Sequence, residues 1–552
     1  MRMLCLMVSR VLLLGLALVW MPVPAQTLQA QQSQAAEVGA AIYLQGKTGA
    51  GQPLAAHREG TAMLSGADAA CVNCHRRSGF GGQEGRSTIP PITARYLFRA
   101  RNGDADTDVP FVPGMRLDRE PYTDATLARA IREGVDVQGH SMSYLMPQFD
   151  LGDADMAALI AYLRRMDKRR VPGLSDGSLH LATIITPDTD PVKRQAMLSV
   201  LRQFFEDRNA RQLPAVPRML TSGKTAYSKS MFRMHPKWQL HVWELSGAPS
   251  GWQQQLEKHL QREPVFAVIS GLGGSHWEPV NAFCEAAALP CLFPNVELPV
   301  EQAAGNYALY FSKGVLLEAE LMASNLLGAQ SLPSSVLQVV RAGDVGEAAA
   351  RNAAALLQAQ GVPVRTVVLG AASGPEGLHA ELARLSGADA LLLWLRPEDL
   401  ARLPPLPTQA PQVFLSGVMG GLENSPLPPD WRSHSQMAYP FDLPEARRVR
   451  VDFALGWLTL RKIPVLATQL QVDTYLACGL LSETLNHMAD NMDRDYLIER
   501  LQTMLEHRIV TGYYPRLALA NGQHFASKGA YMVRFADATG TRVVADHGWQ
   551  VP

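Results

Sequence analysis

The run ADAACVNCHRRSGFGG, residues 67–82, sets two thiols and an imidazole in the spacing C-x-x-C-H, at Cys71, Cys74 and His75. Three chemistries use such a set. A structural zinc site wants four ligands, ordinarily with a second Cys or His pair close by, and the next cysteine is Cys284, far downstream. A dithiol redox pair of the thioredoxin kind sits at a strand-to-helix turn. Small, polar and glycine-rich residues surround Cys71 instead, with helical patterns on both sides. Covalent haem attachment accounts for every position: two thiols bond the vinyl groups and the adjacent histidine offers an axial nitrogen. The motif occurs once, so one haem c is expected.

A sixth iron ligand is sought downstream, in GHSMSYLMPQFDLGDADMAALIAYLRRM. Its candidates are Met146, Met142 and His140. Met146 is preferred because Pro147 fixes the backbone beside it, and Met142 is the alternative. The bland reading of both methionines is core filling, the commoner fate of that residue. A helix should follow, with Asp153 as N-cap and Met156, Leu159, Ile160 and Leu163 as its apolar stripe.

These elements together resemble a class I c-type cytochrome over residues 36–168: a helix around AEVGAAIYLQG, then CVNCH, IPPI, a helix YTDATLARAIREG, MP, and a last helix carrying AYL. The resemblance implies an all-α domain and a proline carbonyl, of Pro90 or Pro91, that accepts a hydrogen bond from His75. It also implies terminal helices crossing near Gly39 and Tyr162. The long glycine-rich segment RRSGFGGQEGRST departs from the family pattern. His/Met ligation would fill both axial positions, leaving single-electron transfer as the domain's role.

The first 25 residues combine Arg2 and Arg10 with the apolar run 11–21 and small residues Val23 and Ala25. This is the layout of a signal peptide cleaved after about Ala25, which places the protein in the periplasm. No later stretch approaches the ~20 apolar residues of a membrane span. The chain carries 51 basic and 51 acidic residues, a balance that argues against a nucleic-acid partner. Charge and Pro/Gly clustering mark 169–178 as a linker.

Beyond it, apolar strand patterns alternate with amphipathic helices, from LHLATIIT through QLHVWEL, VFAVISG, VLQVVRA and ADALLLWL. The pattern implies parallel sheets covered on both faces. Residues 179–549 resemble the type I periplasmic binding proteins, the branched-chain amino-acid group in particular. The resemblance rests on VFAVISGLGGSHWEPVNAFCEAAALPCLFPNVE, NYALYFSKGVLLEAELMASNLL and YPRLALANGQHFASKGAYMVRF. It implies two Rossmann-like lobes with crossings near 299, 442 and 512. It also implies a ligand carboxylate bound at the turn holding Ser270, Gly271, Gly274 and Ser275; the alternative is that these glycines only shape a tight turn. Two departures stand out: PDTDPVKRQ after the first strand lacks the family's glycines, and 218–237 is an insertion.

Cys284 and Cys291, seven apart in an exported chain, are expected to form a disulfide, with two buried thiols as the alternative. Neither SGKT at 222–225 nor GLGGSH completes a nucleotide-binding fingerprint, and no catalytic motif emerges. The fold class is therefore multidomain, a cytochrome c domain followed by a two-lobed α/β domain. The expected role is a periplasmic electron carrier and not an enzyme, serving a dehydrogenase or oxidase chain. Its second module docks that redox partner or senses a small ligand. The alternative is a solute receptor of an importer or sensor with an accessory haem.

Overall fold

The computed structural model describes residues 25–58, 60, 63–85, 87–98, 120–166, 171–175, 177–210, 236–301, 305–370, 379, 382, 389–406, 411–488 and 491–552. The expected signal peptide, 1–25, lies outside them apart from Ala25, and so does the insertion 218–237 apart from Pro236 and Lys237. The described residues up to 166 belong to one compact unit and those from 171 onward to another.

In the first unit the chain runs α1 (Ala25–Gln45), β1 (Ala55–His57), β2 (Leu64–Ser65), α2 (Val72–His75), β3 (Gly82–Glu84), β4 (Ser87–Ile89), α3 (Ala94–Leu97), α4 (Asp124–Glu133), β5 (Gln148–Asp150) and α5 (Asp153–Leu163). Helix α1 crosses α5 at Gly39, where a Cβ would lie 2.2 Å from the Ala158 carbonyl oxygen and 2.7 Å from Tyr162 Cβ. Only glycine lets the backbones approach so closely. Tyr43 and Tyr162 pack beside the crossing with ring centroids 5.3 Å apart. Met156, Leu159, Ile160 and Leu163 are buried, as their spacing required.

Helix α4 starts at a reciprocal cap between Thr123 and Thr126 and stops at left-handed Gly134. The N-cap of α5 is Gly152, not Asp153; Asp153 occupies the first helical position and pairs with Arg132 at 2.8 Å. A carboxylate there still complements the helix dipole. The unit is not wholly helical. Three very short strands form an antiparallel sheet in the order β2-β1-β5, and β3 and β4 form a hairpin in the glycine-rich segment.

The second unit contains two sheets. The first joins β6 (Leu174–Ser175), β7 (Ser178–Ile185), β8 (Lys237–Glu244), β9 (Ala267–Ile269), β10 (Cys291–Leu292) and β11 (Ala308–Leu309). Strand β7 lies between β8 and β9, and β9, β10 and β11 follow in order, all parallel. The second joins β12 (Val336–Arg341), β13 (Val364–Leu369), β14 (Ala390–Trp394), β15 (Gln412–Ser416), β16 (Ser435–Tyr439), β17 (Tyr531–Phe535) and β18 (Val543–Ala545) in the order β13-β12-β14-β15-β16-β17-β18. Its first five strands are parallel and its last two antiparallel. Each lobe buries its own apolar core, one around Trp243, Trp252 and Val268, the other around Val336, Leu392 and Trp394.

Part of the expected linker is folded. Residues Leu174 and Ser175 pair with Leu179 and Ser178, and Gly173, at φ +82°, packs its backbone against Phe266. The first passage between lobes also lies later than Pro299. Ala308–Leu309 still pairs with β10, and the chain turns at Gly314 into the helix Val315–Leu327 of the second core. Pro299 runs alongside that passage, since Val315 N–H donates to the Glu297 carbonyl at 3.0 Å. The other two passages lie side by side, Asp442 N–H donating to the Tyr513 carbonyl at 2.8 Å.

Candidate functional site

The C-x-x-C-H residues form one tight helical turn. Cys71 precedes α2, His75 ends it, and the His75 amide donates to the Cys71 carbonyl at 2.9 Å. Asn73 ties the turn to the Ala67 carbonyl, and Tyr43 of α1 donates its hydroxyl to the Arg76 carbonyl at 2.6 Å. The imidazole of His75 is 6 % exposed, with Nδ1 3.1 Å from the Pro90 carbonyl oxygen. A carbonyl only accepts, so Nδ1 carries the hydrogen and Nε2 keeps its lone pair. Burial pulls the His75 pKa down to about 4, against the opposing pull of the Pro90 carbonyl. The ring is thus neutral at physiological pH, the form that ligates a metal. Burial also pushes the Cys71 thiol up.

The Pro90 carbonyl is held in place by the base of the hairpin. Gly81, at φ +64°, donates to the His75 carbonyl at 3.1 Å, and a Cβ on it would lie 2.2 Å from the Ile89 oxygen and 2.8 Å from the Pro90 oxygen. Ile92 N–H closes the other side on the Gly79 carbonyl at 2.8 Å. Just beyond, the Thr93 hydroxyl is buried without a hydrogen-bond partner.

Of the proposed sixth ligands, Met146 closes a turn on Ser143 and Met142 donates its amide to the Gly134 carbonyl; both are half-buried. His140 is exposed and tied to Asp136 through its own amide, at 2.8 Å, and its ring. The donor set fits a haem c: two thiols one helical turn apart, a neutral imidazole with Nε2 available, and thioethers in a separate loop.

Residues 64–167 match the family model described as Cytochrome c. That stretch is a cytochrome c domain. Such a domain implies a haem c cofactor and electron transfer.

The second unit has a cleft of about 460 Å³. It opens where parallel sheets form crevices, beyond the carboxyl ends of β7 and β9 in one lobe and of β12 and β14 in the other. The expected carboxylate turn reaches it only in part. Ser270 is fully buried, donating to Thr474 Oγ1 at 3.0 Å and accepting from Asn295 at 2.8 Å. Gly271 and Gly273 give way to the ring of buried Trp277, which a Cβ on either would strike at about 2.5–2.6 Å.

Gly274 and Ser275 do line the cleft, but their amides are taken. Ser275 N–H donates to Asp188 Oδ2 at 2.8 Å, Gly274 N–H donates to Thr186 Oγ1 at 3.0 Å, and that hydroxyl donates to Asp188 Oδ1 at 2.5 Å. The glycine is needed because a Cβ at 274 would overlap the Asp188 carboxylate at 2.2 Å. The expected disulfide is not formed either: Cys284 and Cys291 are free thiols buried within the first core. Arg494, which no sequence pattern marked, donates to the carbonyls of Val265, Phe266, Ala287 and Ala288 at 2.6–3.3 Å.

Other cleft groups also lay outside any motif. Glu297 accepts from Lys193 at 3.1 Å and from Arg396 at 2.7 Å; burial opposes its charge, yet the two cations hold it down to about 2. Arg396 also grips Asp344. Behind them, fully buried Glu318 accepts from Ser416 Oγ and from Val418 N–H at 2.9 Å, and burial pushes it up to about 8.

Solved structures similar in fold include a solute-binding protein from R. palustris in complex with benzoate (13% identity, 68% of this chain and 97% of that one, TM-score 0.49). Another is a fatty acid ABC transporter substrate-binding protein from Thermomonospora curvata (14%, 70% and 95%, TM-score 0.48). A third is a branched-chain amino acid ABC transporter from Thermus thermophilus with bound valine (11%, 68% and 98%, TM-score 0.48). No curated protein matches the chain. Among the described residues no helix is long and apolar enough to cross a membrane.

Proposed function

We propose that this chain is a periplasmic single-electron carrier, with one haem c attached through Cys71 and Cys74, and a second unit that binds a small molecule in its cleft. The observation that carries the reading is the Pro90–His75 hydrogen bond beside the C-x-x-C-H turn. It leaves Nε2 as a ligand of fixed orientation and raised basicity. Met146 would be the second side chain to hold the iron, with Met142 as its alternative. When bound, haem c supplies a reversible one-electron couple.

The chain's own residues do the rest. The turn 71–75 fixes the two thiols one helical turn apart, Pro90 and Gly81 hold the imidazole plane, and a methionine thioether would help hold the haem and keep outside ligands away. The domain is an electron carrier and not an enzyme, exchanging electrons with a periplasmic dehydrogenase or oxidase chain. The cleft supports a second reading, a solute receptor of an importer or sensor with an accessory haem.

A reduced absorption spectrum with a pyridine haemochrome assay, on protein matured in a cytochrome c-competent host, tests the first reading. One haem per chain is expected, lost in Cys74→Ala with His75→Ala. Colourless wild-type protein would end it. Reduction kinetics with and without cleft ligands separate the two readings: a rate that responds to ligand supports the carrier.

A further inference from the structure

The cleft's chemistry differs from that of an amino-acid site. The backbone amides that could hold a ligand carboxylate, at Gly274 and Ser275, are already satisfied by Thr186 and Asp188. Both basic side chains lining the cleft are spent as well: Lys193 on Glu297, and Arg396 on Glu297 and Asp344. Four acids line the same cleft, Asp188, Asp190, Glu297 and Asp473. An incoming carboxylate would therefore meet like charge and occupied donors.

Asp473 is the exception among these acids. It is 6 % exposed, its Oδ2 accepts from Tyr514 Oη at 3.2 Å, and its Oδ1 is buried with no partner at hydrogen-bond geometry, the Gln469 amide being near without completing a bond. A buried acceptor left unpaired is costly, more so when charged, and a donor reaching it from the cleft would relieve that cost. Around it stands an aromatic wall. The Tyr514 ring lies 5.3 Å from that of Phe311 and 5.6 Å from that of Phe441, and all three line the cleft. Ring faces beside a carboxylate attract a cation doubly, through charge and through the π quadrupole.

We propose that the cleft receives a small organic ammonium ion carrying no carboxylate, its N–H groups donated to Asp473 and its carbon body laid against Phe311, Phe441 and Tyr514. This rests on the reading of the second unit as a small-molecule binding module. A volume of about 460 Å³ suits such a ligand. Burial pushes the Asp473 carboxyl up to about 7, while Tyr514, Gln469 and Arg447 pull it down; Tyr513 is the other titratable group that feels its charge. A bound cation selects the ionised form, so affinity should fall about tenfold between pH 8 and pH 6.

Calorimetric titration of the full holoprotein with three isosteric probes tests this: phenethylamine, 2-phenylethanol and 3-phenylpropanoate. The amine should bind at least tenfold tighter than the alcohol, and the carboxylate should give no heat. Asp473→Asn should cost the amine tenfold and leave the alcohol within twofold. The wild-type pH dependence gives the same answer should that variant misfold. A carboxylate that binds best, or amine affinity indifferent to both pH and Asp473→Asn, overturns the ligand class and leaves the binding module standing. Silence from all three probes on folded protein overturns both.

Discussion

Glu318 offers the most exacting test of the second lobe. It stands on the helix Val315–Leu327, its carboxyl fully buried against the helical turn Gly417–Gly420 that follows β15, accepting from Ser416 Oγ and Val418 N–H. Burial lifts its pKa to about 8 from 4.5, the nearby Glu297 charge adds to the lift, and the hydrogen bonds only partly oppose it. The folded state then holds a proton that the unfolded state releases above pH 4.5. Stability from this group is complete below pH 4.5, declines through the interval, and is gone above pH 8. Two pH units of that interval lie between pH 6 and 8, each about 1.4 kcal/mol. Raising the pH from 6 to 9 should therefore cost the wild type about 2–3 kcal/mol through this residue.

Glu318→Gln keeps the acceptor for Val418 and offers an amide donor to Ser416 Oγ, yet cannot titrate. The difference in urea-unfolding free energy between wild type and variant, measured at pH 6 and at pH 9, removes every other titrating group. The variant should gain about 2–3 kcal/mol relative to wild type across that range. Equal pH slopes for the two proteins would refute a neutral buried carboxyl at this position.

Gly39→Leu drives a side chain into Ala158 and Tyr162 and should destabilise the first unit by at least about 1–3 kcal/mol; an unchanged denaturation midpoint would contradict the crossing. Arg494→Met strips hydrogen bonds from four carbonyls and should cost about 2–4 kcal/mol in unfolding free energy; a loss under about 0.5 kcal/mol would show water serving those groups instead. Denatured mature holoprotein should present three thiols to Ellman's reagent, Cys284, Cys291 and Cys478. A single thiol would mean that the pair at 284 and 291 is bridged.

Much of the first unit was legible because its chemistry is local. Five consecutive residues carry the attachment motif, and the 3.6-residue stripe of α5 carries the packing face. Between Pro90 and Pro91 the sequence could not choose, since the choice is made by Gly81 and the hairpin pairing. In the second unit the alternation of strands and helices gave the two-sheet architecture, but the first passage between lobes was misplaced. A two-residue strand at Ala308–Leu309 has no periodicity to show which sheet it joins. The cleft was the least legible. Its acids come from residues as distant as Asp188 and Asp473, and the partners that take the amides of Gly274 and Ser275 lie 88 and 87 residues away. The one visible sign was PDTDPVKRQ, a stretch without the glycines that the resemblance led one to expect after the first strand.

The hairpin base at Gly79–Ile92 separates two properties that a single loop would otherwise couple. Its lower rungs latch the Pro90 oxygen that polarises the imidazole, while a Cβ added at Gly85, after β3, would meet open space. The surface at that rim can therefore vary without disturbing the latch, so the length of this collar leaves the imidazole's hydrogen bond and the outer loop free to change independently.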